Sequence, residues 1–97
     1  MNDIQVNVKE EQNKGMAYVA NEKGEVLAEM TYSRANNDLL IIDHTGVQDV
    51  LRGMGVGRKM LDALVEMARK EGSKILPLCP YAKSVFDKDD SIADVLR

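Results

Sequence analysis

The stretch Leu39–Glu71, LLIIDHTGVQDVLRGMGVGRKMLDALVEMARKE, decides the fold of this chain. It begins with the most apolar run in the sequence, Leu39–Ile42, which is typical of a central strand buried on both faces. From Val56–Glu71 the apolar residues recur with helical spacing, and Gly72 is the expected C-terminal glycine. Three glycines within five residues separate these segments. A buried strand, a glycine loop and an amphipathic helix in this order indicate a ligand-binding connection.

The rest of the chain adds strands on both sides of this unit. Alternation of apolar and polar residues predicts strands at Ile4–Val8, Met16–Ala20 and Val26–Tyr32, joined by turns at Lys9–Gly15, Asn21–Glu25 and Ser33–Asp38. Downstream we expect a strand at Lys74–Leu78, a short helix at Tyr81–Lys88 and a last turn through Leu96, capped by Asp90 or Ser91. The Leu39–Thr45 and Lys74–Leu78 strands should be parallel, with a right-handed crossover.

Size and composition exclude several functional classes. A chain of 97 residues predicts one domain, and a net charge of −3 with few aromatic residues argues against a nucleic-acid partner. No segment approaches the roughly 18 consecutive apolar residues of a membrane span. The N-terminus has neither a basic region nor an apolar signal core, which predicts a cytosolic protein. A single cysteine and a single histidine leave no set of residues for a disulfide or a thiolate or histidine-rich metal site.

The glycine loop Arg52-Gly53-Met54-Gly55-Val56-Gly57 has the properties of a phosphate site. Glycine allows the backbone to approach a ligand, and the first turn of a helix offers unpaired N–H groups at the positive end of its dipole. The glycines alone would also suit a tight turn. The Rossmann pattern fails because Arg58 or Met60 occupies its third glycine position, and Gly57-Arg58-Lys59-Met60 does not fit a Walker A loop.

The loop does match Arg/Gln-x-x-Gly-x-Gly/Ala, and the strand expected to end at Val47 lies five positions before Arg52. At these residues the chain resembles the GNAT superfamily of acyl-CoA N-acyltransferases, above all its very small members. The resemblance covers about half the chain, residues 39 to 88. It implies an α+β fold, a mixed α/β sandwich with a sheet of about five strands. One main helix follows strand 4 and a short helix follows strand 5.

The resemblance also implies acetyl-CoA as co-substrate, held where strands 4 and 5 part, with no metal. Pantetheine would contact the end of strand 4 and the glycine loop would bind the pyrophosphate. The residues implied are Thr45, Gly46, Val47, Arg52, Gly53, Met54, Gly55, Val56, Gly57 and Arg58. Larger members have two helices between strands 1 and 2, where this chain has only Lys9–Gly15. We therefore expect an acceptor site that is open or completed by a partner.

Three residues are candidates for the chemistry. His44 follows the buried strand and could act as a base at neutral pH, or be a structural histidine of the sheet. Asp43 is a weaker base candidate, because strand alternation predicts that it faces away from His44. Cys79 could accept the acetyl group, protonate the CoA thiolate, or simply be a buried small residue. Tyr81 is the alternative acid, as a phenol in this region is in many relatives.

Three functions are compatible with these features. The first is an N-acetyltransferase acting on an amine, and the second is a module that binds or senses acetyl-CoA with little turnover. The third is a small structural protein whose glycines only turn the chain. The acidic net charge favours a cationic acceptor, but neither the acceptor nor the oligomeric state is predicted.

Overall fold

A five-stranded sheet forms the centre of the computed structural model, which describes residues 4–97. The strands are β1 (Asn7–Glu11), β2 (Lys14–Ala20), β3 (Val26–Asn36), β4 (Leu39–Val47) and β5 (Lys74–Pro77), in that spatial order. The helices are α1 (Val56–Glu71) and α2 (Pro80–Lys88), with 3-10 segments at Asp49–Leu51 and Asp90–Val95. Within residues 4–97 no helix is long and apolar enough to cross a membrane. Met1 to Asp3, which contributed to the prediction of a cytosolic protein, lie outside the described residues.

Helix α1 has the bounds that its periodicity predicts, Val56–Glu71. Its buried residues lie on one side: Met60, Leu61, Leu64, Val65 and Ala68. Gly72 ends the helix in the left-handed conformation at φ 75°, and its N–H bonds to the carbonyl of Ala68. Arg69 and Lys70 occupy the last turn, where positive charge is stabilised by the helix dipole. The predicted helix and its C-terminal glycine are confirmed.

The two faces of the sheet differ in burial. One face packs under the helices, and its side chains are buried: Ala17, Val19, Ala28, Met30, Tyr32, Leu40, Ile42 and Ile75. The alternate positions, among them Tyr18, Glu29 and Thr31, are only half-buried. We call this second side the open face. It follows that the core of the molecule lies between the sheet and the helices.

Strands β4 and β5 run parallel, as predicted, from Leu39↔Lys74 to Ile42↔Pro77. Their pairing ends there, where the N–H groups of Leu78 and Cys79 both bond to the carbonyl of Ile42, at 3.0 and 3.1 Å. Strand β4 continues to Val47 paired with β3 but without β5. The divergence of these strands is the one that the family resemblance implies, and we call it the β4–β5 gap.

Strand β1 differs from the prediction. It spans Asn7–Glu11 rather than Ile4–Val8, so most of the predicted Lys9–Gly15 connection is strand. The true turn is the pair Gln12-Asn13, with φ of 54° and 67°, as a two-residue hairpin turn of the primed type requires. All five residues of β1 are exposed, so its sequence lacks the alternation of apolar and polar residues that marks a half-buried strand.

Strand β3 also exceeds its prediction, because it continues through Asn36 where a turn at Ser33–Asp38 was expected. Arg34 explains the extension, since it ties three elements together. Its Nε lies 2.8 Å from both carboxylate oxygens of Glu10, and two further nitrogens bond Glu71 at 2.9 and 3.1 Å. These bonds join β3 to β1 and to the end of α1.

Tyr32 completes this arrangement, which we call the Arg34 cluster (Glu10, Tyr32, Arg34 and Glu71). The buried Tyr32 hydroxyl donates to Glu10 Oε1 at 2.7 Å, and this bond, followed by the Arg34 guanidinium, lowers the pKa of Glu10. Burial, then the bond to Glu10, raises the pKa of Tyr32. Gly15 leaves room for the phenol, because a Cβ there would lie 2.5 Å from the Tyr32 hydroxyl oxygen. The cluster closes one end of the sheet.

The C-terminal segment is anchored by arginines of α1. Asp89 caps the Asp90–Val95 segment by accepting from the N–H of Ser91 at 2.9 Å, so the cap is neither Asp90 nor Ser91 as predicted. Arg58 bonds Asp89 at 2.6 Å, and Arg69 bonds Asp94 at 2.9 Å. Bonds from Ser91 and Arg58 lower the pKa of Asp89 to about 2, so it is ionised at neutral pH.

Candidate active site

The glycine loop adopts a conformation that requires glycine at two positions. Gly53 has φ 79° and Gly55 has φ 71°, both in the left-handed region. Among residues 4–97, no heavy atom outside the glycine and its two chain neighbours lies within 4 Å of where a Cβ would stand at either residue. These glycines are therefore needed for backbone shape rather than for packing space, and they leave the loop surface free of side chains.

The loop delivers the N-terminus of α1 to this surface. Gly55 is the N-cap residue, and as a glycine it supplies no side-chain hydrogen bond to the start of the helix. The first N–H groups of an α-helix have no acceptor within it, and the dipole makes that end positive. Such a terminus is a ready site for an anionic group, which is the property that the sequence predicts here.

A cavity of about 240 Å³ opens beside this terminus. It is lined by Thr45, Val47, Leu51, Arg52, Gly53, Gly55, Val56, Gly57 and Tyr81. The cavity thus brings together the end of β4, the glycine loop and the start of α2. Seven of the predicted cofactor-binding residues share it with one of the catalytic candidates, and Leu51 is a lining residue that the sequence did not suggest.

Tyr81 packs across the start of α1. A Cβ on Gly57 would lie 3.0 Å from Tyr81 Cζ, so the ring can approach this closely only because residue 57 is glycine. The side chain is 36% exposed. Burial raises its pKa, against an opposing effect of the Arg58 charge. The phenol therefore holds its proton at neutral pH, as a proton donor must.

Cys79 lies in the β4–β5 gap but is 3% exposed. It is the N-cap residue of α2, and its Sγ lies 3.0 Å from Thr45 Oγ1, a contact in which either group can donate. This contact joins the part of β4 that extends beyond β5 to the start of α2. The sequence places Thr45 and Cys79 at the site separately, and the fold brings them into contact.

His44 lies across β4 from these groups. The β3–β4 register shifts, so that Tyr32 pairs with Ile42 and Thr31 with His44, and Asp43 is left as a bulge. His44 therefore projects on the open face with Thr31. Asp43 projects on the same face, as its hydrogen bond shows: Asp43 Oδ2 accepts from Ser33 Oγ at 2.9 Å. The prediction that Asp43 and His44 face opposite ways is wrong, since the bulge interrupts the alternation.

Gly46 lies next to the imidazole of His44. A Cβ at Gly46 would be 3.3 Å from His44 Nε2, so a glycine at this position leaves space for the imidazole ring. His44 itself is exposed. The acid and base candidates thus flank β4 on opposite sides: Tyr81 with the cavity, and His44 on the open face.

The two arginines predicted near the phosphate differ in availability. Arg52 pairs with Asp49 at 2.9 Å, but both side chains are mostly exposed, so this bridge is weak. Arg58 is bonded to both Asp62 and Asp89, which commits its guanidinium to the protein. Met54 is 47% exposed on the loop, and Val56 is buried, so Val56 offers a ligand only its backbone. In residues 4–97 no three His, Cys, Asp or Glu side chains converge as metal ligands would.

Comparison with known proteins identifies the family. The model of the GCN5-related N-acetyl-transferase family matches residues 16–95. The solution structure of a GCN5-like protein from Staphylococcus aureus is 41% identical, with a TM-score of 0.74, covering 100% of this chain and 91% of that one. No curated protein sequence matches. The chain belongs to the GCN5-related N-acetyltransferase family.

More distant solved structures share the fold. Ribosomal-protein-alanine N-acetyltransferase from Brucella melitensis is 14% identical with a TM-score of 0.66, over 80% of this chain and 62% of that enzyme. Nourseothricin acetyltransferase is 22% identical with a TM-score of 0.55, over 68% and 40%. The chain thus spans about half the length of these enzymes.

Proposed function

We propose that this family member transfers the acetyl group of acetyl-CoA to an amine, as a single domain in the cytosol. The observation that carries the proposal is the 240 Å³ cavity, in which the start of α1, the end of β4 beyond its pairing with β5, and Tyr81 meet. An anion site beside a free strand edge fits a ligand that has a pyrophosphate followed by an amide-containing arm.

The proposed binding mode follows from these features. The backbone N–H groups at the start of α1 would bind the pyrophosphate, and Arg52 would add a mobile positive charge once it leaves Asp49. The pantetheine amides would pair with the backbone of Thr45–Val47, which has no β5 partner. The thioester would then lie in the β4–β5 gap.

The proposed reaction needs one base and one acid. The amine nitrogen attacks the thioester carbonyl carbon, a C–N bond forms and the C–S bond breaks. His44 accepts the proton that the amine loses, either directly or through water, and Tyr81 donates a proton to the departing CoA sulfur. Because the two side chains lie on opposite sides of β4, each can act on its own side of the thioester.

Cys79 is the alternative acid or acetyl acceptor. Its 3% exposure and its contact with Thr45 favour a role in holding the gap in shape, and favour direct transfer over an acetyl-cysteine route. Tyr81 is more accessible and lines the cavity, so we assign it the acid role. The alternative function, a module that binds acetyl-CoA with little turnover, is favoured by the minimal Gln12-Asn13 turn, which supplies no substrate-binding helices.

Binding is tested first. Acetyl-CoA titrated into labelled protein should shift backbone amides of residues 45–58, while amides of the Arg34 cluster stay in place. Unmoved amides of the glycine loop at millimolar acetyl-CoA would exclude the proposed cofactor site.

Turnover is tested by CoA release with a panel of primary amines. We expect Tyr81→Phe to lower kcat about 100-fold and His44→Gln about as much, since acid–base catalysis contributes roughly 10²–10⁴-fold. Both variants should bind acetyl-CoA as the wild type does. Cys79→Ala is the matched comparison, with a smaller loss of kcat. Intact mass after incubation with acetyl-CoA reports any acetyl-cysteine directly, and an adduct that turns over would overturn the direct route.

A further inference from the structure

A second cavity, with a volume of about 300 Å³, lies where β3 begins and β4 ends. Its lining includes Glu29 and Gly46, and it shares Val47 with the cofactor cavity. The β3–β4 register places Glu29 directly opposite Gly46. In β4, Gly46 is two positions after His44, so Glu29, Gly46 and His44 all belong to the open face.

Gly46 gives this cavity access to the histidine. Its hydrogen atom leaves open the space that a side chain would fill, and His44 Nε2 lies 3.3 Å from the point where a Cβ would be. Any side chain at residue 46 would stand between Glu29 and the imidazole. The cavity and the proposed base are therefore neighbours.

Glu29 is half-buried, and it forms no ion pair within residues 4–97 at 4 Å or less. Its cross-strand neighbour on the other side is Tyr18, over whose ring Lys9 Nζ lies at 5.1 Å. Lys9 thus takes the aromatic face, not the carboxylate. Glu29 and His44 form a diagonal pair across the two strands, a relation that spans about 7–8 Å.

We propose that this cavity receives the acceptor, and that Glu29 binds a second positive charge on it. The inference rests on the proposed acetyl transfer and names its substrate class: a primary amine with a second ammonium group about four methylenes away. The spacing is scaled to the diagonal between the two strand positions, which separates the backbone of residues 29 and 44 by roughly 7–8 Å. One nitrogen faces the base, and the other pairs with the carboxylate.

The charges of such an acceptor suit its two positions. A primary alkylamine has a pKa near that of lysine, about 10.4, so both nitrogens are protonated in neutral water. The nitrogen at Glu29 stays charged, because the carboxylate stabilises that form. The nitrogen beside His44 first loses one proton to water, attacks the thioester as the neutral amine, and then passes its second proton to His44. Selectivity among amines then comes from Glu29, which binds the second ammonium group and takes no part in acetyl transfer.

The test compares 1,4-diaminobutane with butylamine on three proteins. Wild type should use the diamine with at least tenfold higher kcat/KM. Glu29→Gln should lower kcat/KM for the diamine about tenfold and leave that for butylamine within twofold. Glu22→Gln, which removes an exposed carboxylate at the β2–β3 turn, is the matched control and should retain the preference. An unchanged preference in Glu29→Gln would overturn the inference.

A binding measurement separates this inference from the proposed function. The same amines are titrated into CoA-saturated protein, and the amides of Glu29 and Gly46 are followed. Shifts with the diamine that disappear in Glu29→Gln support the acceptor site, even if no amine is turned over. If butylamine is turned over but the diamine leaves both amides unmoved, acetyl transfer stands and the Glu29 anchor fails.

Discussion

At the end of the sheet where β4 begins, Arg34 reaches two carboxylates and Tyr32 donates to one of them, so every charged group of the Arg34 cluster has a partner. At the other end, β4 continues past Ile42 without β5, and α1 starts without a side-chain cap. The same sheet thus has one end closed by side chains and one end left with free backbone groups.

This difference teaches how a small family member can divide its tasks. Partnered charges at the closed end hold β1, β3 and α1 together, while unpartnered backbone groups at the open end are available to a ligand. Substitutions at the closed end should therefore lower stability and leave acetyl-CoA binding intact. Substitutions at the other end should weaken acetyl-CoA binding and leave stability intact.

The largest effect is expected from Gly57→Val at the open end. The added side chain would force the Tyr81 ring into the cofactor cavity, because even a Cβ would lie 3.0 Å from Tyr81 Cζ. We expect acetyl-CoA affinity to fall about 100-fold, or roughly 2.7 kcal/mol, by calorimetry. Ala63→Val, a β-branched change in the same helix, is the control and should leave the Kd unchanged. Equal affinities in both variants would contradict the placement of Tyr81.

The next effect is expected from Arg34→Met at the closed end. Removing the guanidinium leaves Glu10 and Glu71 without their shared partner. Because these carboxylates are 31% and 35% exposed, the loss should fall below that for a fully buried pair, at about 2 kcal/mol of unfolding free energy. That lowers Tm by roughly 8–16 °C.

Arg69→Met is the matched control for Arg34→Met. Arg69 pairs with Glu66 and Asp94, whose side chains are 62% and 55% exposed, and its loss should cost less than half as much. Urea denaturation followed by circular dichroism measures both. Acetyl-CoA affinity of folded Arg34→Met should match the wild type, and a large loss of affinity would break the separation between the two ends.

The smallest effect is expected in acid. The folded pKa of Glu10 is lowered by Tyr32 and Arg34 below its ordinary 4.5. A lowered pKa adds stability above the unfolded value, and that stability is lost as pH falls through the folded value. Unfolding free energy should therefore decrease below about pH 4.5. Glu10→Gln should remove part of this decrease and cost about 1–2 kcal/mol at pH 7. An unchanged pH slope in Glu10→Gln would show that other carboxylates carry the acid sensitivity.

Buried periodicity made much of the fold predictable. Helix α1 has the bounds that the spacing of Met60, Leu64 and Met67 predicts, and the apolar run Leu39–Ile42 is the part of β4 that pairs with β5. Strand β1 and the end of β3 were misplaced because no buried face marks them. Arg34 reads as a turn residue until Glu10 and Glu71 are known to surround it, and such distant partners leave no local pattern.

The candidate site was predictable where backbone shape decides it. Glycines at 53, 55 and 57 mark the loop, and Tyr81 comes shortly after the predicted strand β5 in the sequence. The bulge at Asp43 was not predictable, because it depends on the register with Thr31 and Tyr32. Glu29 was missed for the same reason, since its diagonal relation to His44 depends on its pairing with Gly46. Its position in the alternation of β3 was the available signal.

The fully exposed β1 also bears on how the protein behaves at high concentration. Within residues 4–97, β1 is the edge strand of the sheet and pairs with β2 alone, so its outer edge could extend the sheet onto another molecule. Lys9 and Glu11 put opposite charges along this strand, while Glu10 is held by Arg34. Adding a strand would strip water from both charges, which opposes edge-to-edge aggregation. Replacing both Lys9 and Glu11 with threonine would remove this protection, and β1 would then favour edge-to-edge association between molecules.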